Sequence, residues 1–181
     1  VTDDSDSTLE DRQLLVLDSG GQYLDGTTDI TRTVSIGTPP REAAEAFTRV
    51  LLGMIAMSRL RWPAGLAGQH IEAIGRLPLW MAGQDFDHGL GHGVGAYLSV
   101  HEGPQRLSKI SDVPLQPGMI LSNEPGYYRE GAFGSRIENL LVVTPAPALP
   151  GGDAHREMLC WQTLSFAPID RRLIVTDMLD P

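Results

Sequence analysis

The sequence predicts an α+β fold, a mainly antiparallel sheet covered by helices on one side. Three observations carry this. Two strand-like stretches flank a tight Asp25-Gly26 turn near the start of the chain. Two amphipathic helical patterns follow between residues 42 and 82. Beyond them, short apolar runs alternate with Gly- and Pro-rich segments.

In chain order, Leu14-Leu15-Val16-Leu17 is a short apolar run of the kind found in buried strands. Ile30-Thr-Arg-Thr-Val-Ser-Ile36 is β-branched and partly alternating, and reads as the returning strand. A hairpin over residues 12–36 brings Asp18 and Asp29 within reach of each other. Two carboxylates that close repel unless one is protonated or a cation lies between them. The plainer alternative is that both flank the turn and bond their own backbone. Thr38-Pro39-Pro40 reads as a helix entry, with Thr38 as N-cap and Pro in the first turn. The helix from Glu42 to Leu60 buries Ala43, Phe47, Val50, Leu51, Met54 and Met57. Trp62-Pro63-Ala-Gly65 breaks it. A second helix, Leu66 to Ala82, places Ile71, Ile74, Leu77 and Trp80 on one side, with Pro78 near its end. Glycines at 89, 91, 93 and 95 exclude helix there and suit backbone packed against an ion or a substrate. Strands are expected at Tyr97–Val100, Met119–Ser122, Ile137–Thr144, Trp161–Pro168 and Leu173–Val175. Gln105–Pro114 and Pro145–Asp153 are expected loops.

Composition narrows the function. The 181 residues suffice for one domain with a sizeable core. Fourteen Lys and Arg against 23 Asp and Glu leave a net charge of −9, which argues against nucleic acid or an anionic membrane surface as the main partner. The single cysteine, Cys160, excludes an internal disulfide and fits a reducing compartment. The longest apolar runs, such as Leu51–Met57, are far too short for a bilayer.

Chemistry concentrates in three further groups. His88-Gly-Leu-Gly-His92-Gly-Val-Gly95 leads to His101-Glu-Gly-Pro104, which places three of the five histidines within 14 positions. Glu124 ends an apolar run, where a buried carboxylate needs a partner. Glu124 and Glu138 lie symmetrically about Gly131, so strands flanking that turn would set them directly opposite each other. Arg136, two before Glu138, shares its face and is suited to hold a carboxylate through two bonds. Four carboxylates and one imidazole at strand ends describe a metal pocket of mostly oxygen donors. That disfavours structural zinc and suits two hydrolytic divalent ions, with Mn, Co, Fe and Zn all admissible.

At Leu17-Asp-Ser-Gly-Gly-Gln-Tyr23, Asp25-Gly-Thr-Thr-Asp-Ile-Thr-Arg-Thr33, His88–Gly95, His101–Pro104, Glu124-Pro-Gly-Tyr-Tyr128 and Arg136-Ile-Glu-Asn139, the sequence resembles the pita-bread metallopeptidases, and within them the aminopeptidase P group. The resemblance runs from about Leu14 to Val175. It implies the pita-bread fold, with metal ligands at Asp18, Asp29, His92, Glu124 and Glu138. It implies substrate-side histidines at His88 and His101, a supporting arginine at Arg136, and Glu124 as the proton carrier. The cofactors implied are two divalent ions, manganese first among them. The substrates implied are peptides with proline second, cleaved before the proline by a cytoplasmic enzyme that is a homodimer at full length. Neither nucleic acid nor membrane is expected as a partner. Residues 1–181 would then be most of one catalytic domain, lacking an upstream part and nearly inactive alone. Prolidase or creatinase-like hydrolysis on the same fold, or a metal-free binding module, are the alternatives. Leu90 and Ser135 depart from the motifs, where Thr and an apolar residue are expected.

Overall fold

The computed structural model describes residues 7–96 and 99–179. It opens on the expected hairpin. Strands β1 (Leu14–Tyr23) and β2 (Gly26–Ser35) pair antiparallel around Leu24-Asp25, one residue earlier than the expected turn. Asp18 stands opposite Thr31 and Gly20 opposite Asp29. With side chains alternating, Asp18, Asp29, Thr31 and Thr33 share one face. On β2 that face is buried although polar: Asp29, Thr31, Thr33 and Ser35 are all nearly inaccessible. A polar inner face needs partners from elsewhere in the chain.

Helix α1 (Arg41–Ser58) begins after Pro40, which takes the N-cap position without a side-chain bond, so Thr38 is not the cap. Its apolar side is the one expected, with Phe47, Val50, Leu51, Met54 and Met57 buried. The break after it is a short strand, β3 (Arg61–Pro63), because Trp62 pairs opposite Leu159 and its ring lies 4.6 Å from that of Trp161. The second helix comes in two pieces, α2 (Gly68–Ile71) and α3 (Ala73–Trp80), joined at Glu72. Its buried side differs from the expected one. Leu77 and Trp80 are 52% and 42% exposed, while Gly75, Arg76 and Leu79 face inward. Arg76 can occupy the inner side because every part of its guanidinium is bonded, and an apolar-period argument cannot see that. Gly53 of α1 meets Gly75 of α3 so closely that a Cβ at 53 would lie 2.1 Å from the Gly75 carbonyl oxygen.

The remaining strands are short and antiparallel. β4 (Gly91–His92) pairs with β5 (Arg106–Leu107), which lies in an expected loop. β6 (Ile120–Asn123), β9 (Asn139–Pro145) and β10 (Met158–Thr163) join β3 in a four-stranded sheet ordered β3-β10-β9-β6. β7 (Gly126–Arg129) and β8 (Phe133–Arg136) form a separate hairpin. One core cluster joins α1 to this sheet through Phe47, Met57, Trp62, Leu121, Leu141 and Trp161.

One expected strand is absent among the described residues and another falls partly outside them. Of Tyr97–Val100, Tyr97 and Leu98 lie outside the described residues, and Ser99 and Val100 belong to no strand. At 173–175 there is instead a 3-10 turn, Arg171–Leu173. Thr48 of α1 supplies what a partner strand would, donating to the Leu173 carbonyl and accepting from the Val175 amide. Arg32 holds the segment before it, bonding the carbonyls of Ala167 and Pro168 as well as that of Glu138. Among the described residues no helix is long and apolar enough to cross a membrane.

Candidate metal centre

The ladder joining β6 to β9 and β7 to β8 is one register with a gap. Asn123 pairs with Asn139 on one side of the gap and Gly126 with Arg136 on the other. Glu124-Pro125 and Ile137-Glu138 fill it, so the two glutamates oppose each other as the spacing about Gly131 predicts. Pro125 has no amide to donate. The glutamate amides turn elsewhere, Glu124 to the Leu90 carbonyl (2.8 Å) and Glu138 to the Thr31 carbonyl (3.1 Å). The interruption thereby ties one carboxylate to the glycine-rich segment and the other to β2.

Within that segment the glycines approach the protein's own backbone. A Cβ at Gly91 would lie 2.0 Å from the Ser122 carbonyl oxygen, and one at Gly93 would lie 2.0 Å from that of Glu102. This seats His92 against β6. Its amide donates to Ser122 Oγ, which donates in turn to Glu124 Oε1. The His92 Nδ1 bond to the Gly93 carbonyl (2.9 Å) assigns the proton to Nδ1. The Nε2 lone pair then faces Glu124 Oε1 at 3.2 Å and Asp29 Oδ2 at 3.4 Å. Asp29, His92 and Glu138, all buried, each offer one ligand atom within 4.8 Å of the others.

This is a convergence of acceptors short of positive charge. Burial, then the Glu124 charge, push the Glu138 carboxyl up to about 8, against the pull of the Thr31 hydroxyl bond. Burial likewise raises the Glu124 carboxyl, with the His92 charge opposing it. At His92, burial opposes the charge, but the bonds to Asp29 and Gly93 and the nearby carboxylates raise its pKa overall. Carboxylates this buried and this close raise one another's pKa, and a neighbouring imidazole gains affinity for its proton from them. Oxygen donors with one nitrogen, deprotonated together, fit a hydrolytic divalent ion.

Asp18 differs from the expectation of a buried strand end. It lies in mid-β1, half exposed, and Arg136 Nη2 reaches its Oδ2 at 2.5 Å. Arg136 does not clasp one carboxylate through two bonds. Its other groups go to the Tyr128 hydroxyl (2.9 Å) and Thr31 Oγ1 (3.4 Å), with Nε 3.9 Å from Glu124 Oε2. Burial works against its charge, yet the Tyr128 and Asp18 bonds raise its pKa above the ordinary value.

Tyr128 is the residue that motif reading passes over. Its hydroxyl accepts from Arg136 and stands 2.9 Å from His88 Nε2. His88 Nδ1 bonds the Gly89 carbonyl at 2.7 Å, which assigns its proton there and leaves Nε2 to accept from Tyr128. Burial lowers the His88 pKa and raises that of Tyr128, so both remain neutral in this chain of bonds. The available signal was the pair Gly126 and Gly134, which lack the side chains that would collide with the Tyr128 ring. His101 is exposed, its ring edge-on to that of His92 with centroids 4.2 Å apart.

Of the two departures, Leu90 is fully buried and fits over Gly75, while the buried Ser135 hydroxyl has no hydrogen-bond partner among the described residues. A cleft of about 450 Å³, lined by Thr28, Asp29, Val94 and Leu164, adjoins the centre. A larger cavity, about 950 Å³, lies at the far end of β9 and β10 beside Pro147 and Met158, away from the acceptors described.

The profile of metallopeptidase family M24 matches residues 1–145. Xaa-Pro aminopeptidase 2 of Homo sapiens is 47% identical over 174 residues, covering 96% of this chain and 25% of that protein. Aminopeptidase P2 of Arabidopsis thaliana is 48% identical over 180 residues, covering 97% and 25% respectively. The chain thus spans about a quarter of the length of these relatives. Among solved structures, the X-prolyl aminopeptidase of Caenorhabditis elegans, described as a cytosolic enzyme with a di-nuclear active site, superposes with a TM-score of 0.85. It is 38% identical, and the match covers 92% of this chain and 27% of that one. The prolidase of Pyrococcus horikoshii gives a TM-score of 0.68 at 33% identity over 76% of this chain and 39% of that one. With its antiparallel sheets, its helices and this likeness, the chain has the pita-bread fold and belongs to metallopeptidase family M24.

Proposed function

We propose that the protein is a metal-dependent aminopeptidase that hydrolyses the bond between an N-terminal residue and a following proline. The observation that carries this is the convergence of Asp29, His92, Glu138 and Glu124 on one point, in a chain whose relatives are named Xaa-Pro aminopeptidases. In this reading Asp18, Asp29, His92, Glu124 and Glu138 hold two divalent ions, manganese first among the candidates. Arg136 binds Asp18 through Oδ2, which leaves Oδ1 for an ion. Ions held there supply Lewis acidity, lowering the pKa of water and polarising a carbonyl.

The side chains do the rest. Glu124 takes a proton from the attacking water and returns it to the prolyl nitrogen, which must leave as a secondary amine. His101, exposed beside His92, donates to the scissile carbonyl oxygen as negative charge develops on it. His88 faces the substrate from the other side, its ring held by Tyr128. Arg136 steadies Asp18 and Tyr128 together.

The likeness to prolidase supports a second reading, cleavage of Xaa-Pro dipeptides, but at lower identity than the nematode aminopeptidase match. Assay of Xaa-Pro-Yaa, Xaa-Ala-Yaa and Xaa-Pro by the metal-loaded full-length enzyme separates the readings. Turnover of the proline tripeptide alone is expected. Equal rates on the alanine peptide would point to a broader peptidase, and preference for the dipeptide to a prolidase. Cytoplasmic location and a homodimer belong to the same proposal, supported by the nematode relative's description for the compartment and by the family resemblance for the dimer.

A further inference from the structure

Arg76 lies outside the metal centre, yet its side chain is wrapped by the segment that leads into it. It is 2% exposed. Its Nε bonds Glu72 Oε2 at 2.6 Å, one turn earlier on the helical segment. Its Nη1 bonds Asp85 Oδ1 (2.8 Å) and the Phe86 carbonyl (2.7 Å), and its Nη2 bonds the His88 carbonyl (2.6 Å). The guanidinium carbon lies 3.9 Å from the centre of the Phe86 ring, and that ring packs on the His88 imidazole with centroids 4.6 Å apart. One planar cation thus fixes the backbone at 86 and 88 and, through Phe86, one side of the His88 ring.

Stability alone is a weak reason for such a group. A buried Arg–Glu pair gains little over well-packed apolar residues of the same volume, because both charges must leave water. What a guanidinium provides and an apolar side chain does not is a rigid fork of donors aimed at several acceptors at once. Here the acceptors are those that set where residue 88 sits. None of Asp29, His92, Glu124 and Glu138 is among its partners.

We propose that Arg76 is a positioning residue for His88: it holds the imidazole at the angle from which Nε2 meets the Tyr128 hydroxyl and the ring faces the substrate. The proposal rests on the reading of His88 as a substrate-side group.

The test is Arg76→Lys, which keeps a cation for Glu72 and loses the fork. Metal content should be unchanged and kcat/KM on a proline tripeptide should fall about 10- to 100-fold, as for other groups that orient active residues. In a His88→Ala background the same substitution should cost nothing further, because the two act as one unit. Long-range proton–nitrogen NMR of the His88 ring should show one Nδ1–H tautomer in the parent and a mixture in the variant. That signal needs no turnover, so it decides the matter even if the protein proves not to cleave proline peptides. An unchanged His88 signal, or an undiminished cost in the His88→Ala background, would overturn the proposal. If Arg76→Lys does not fold, Phe86→Leu removes the intervening ring and leaves the Arg76 bonds in place. It should give the same mixed tautomer, and an unaltered ring signal there counts equally against the idea.

Discussion

Thr31 and the two histidines nearest the acceptors show how single side chains divide the work. Thr31 donates its hydroxyl to Glu138 Oε2 at 2.7 Å, receives Arg136 Nε on the same oxygen, and takes the Glu138 amide on its carbonyl. His92 presents a lone pair to two carboxylates, whereas His101 touches the group only through the His92 ring. His92→Ala is therefore expected to lose metal and activity together. His101→Ala is expected to keep its metal and lose about 10²- to 10³-fold in kcat, the usual cost of one oxyanion donor. Elemental analysis beside steady-state kinetics checks both, and equal metal loss in the two variants would end this division of roles. That Asp29, Glu124 and Glu138 converge is legible from sequence because each flanks a strand-forming run or a symmetric turn; His92 joins them through its glycine-rich histidine cluster and the family resemblance. The pairing of Asp18 with Arg136, and the bridge through Tyr128, are not legible there. They depend on how β8 lies over β1 and how β7 meets the His88 segment, contacts between residues 118 and 40 apart that no local pattern encodes.

Among the elements, the hairpin, the first helix and the glutamate-bearing strands follow from hydrophobic period and turn chemistry. The second helix departs from its apolar period because a charged residue takes its inner side, and residues 173–175 form no strand because Thr48 satisfies that backbone from a helix. The crossing of α1 and α3 offers a test in which two effects oppose. Helix propensity favours Gly53→Ala by about 1 kcal/mol. A Cβ 2.1 Å from the Gly75 carbonyl oxygen forces the helices apart, an overpacking cost of about 1–3 kcal/mol. Packing should win and the variant should unfold at lower denaturant. Greater stability would mean that the helices separate freely. Asp170 tests another join. Its carboxylate is held at about 2, chiefly by Arg172, and it also accepts the Ser35 amide. A carboxyl whose folded pKa lies below the unfolded value near 3.9 stabilises the fold above that value and loses the contribution as pH falls toward 2. Asp170→Asn should therefore melt earlier than the parent at pH 7, with the gap closing between about pH 4 and 2. A gap independent of pH would assign the effect to shape instead of charge.

For the whole molecule, the centre is also a point of internal repulsion, since β2, β4 and the gaps flanking β7 and β8 all bring acceptors to it. A cation bound to the folded chain and not to the unfolded one adds stability by mass action, about 2.7 kcal/mol at a hundredfold excess over its dissociation constant. Chelation should accordingly lower the melting temperature, and readdition of manganese should restore it. A melting curve indifferent to chelator would remove the metal from the folding equilibrium.

The Arg32 clasp has a consequence for the chain as it is made. Its guanidinium waits for carbonyls 135 and 136 residues downstream. At ribosomal speeds of about 5–20 residues per second, that is roughly 7 to 27 s. Counted from its own emergence from the exit tunnel, β2 stands for that interval with Arg32 lacking its Ala167 and Pro168 partners. The hairpin is the first part of the centre to be born and among the last to be secured. A released chain truncated before Ala167 should leave it open to chaperones and proteases, and extension past Pro168 should protect it.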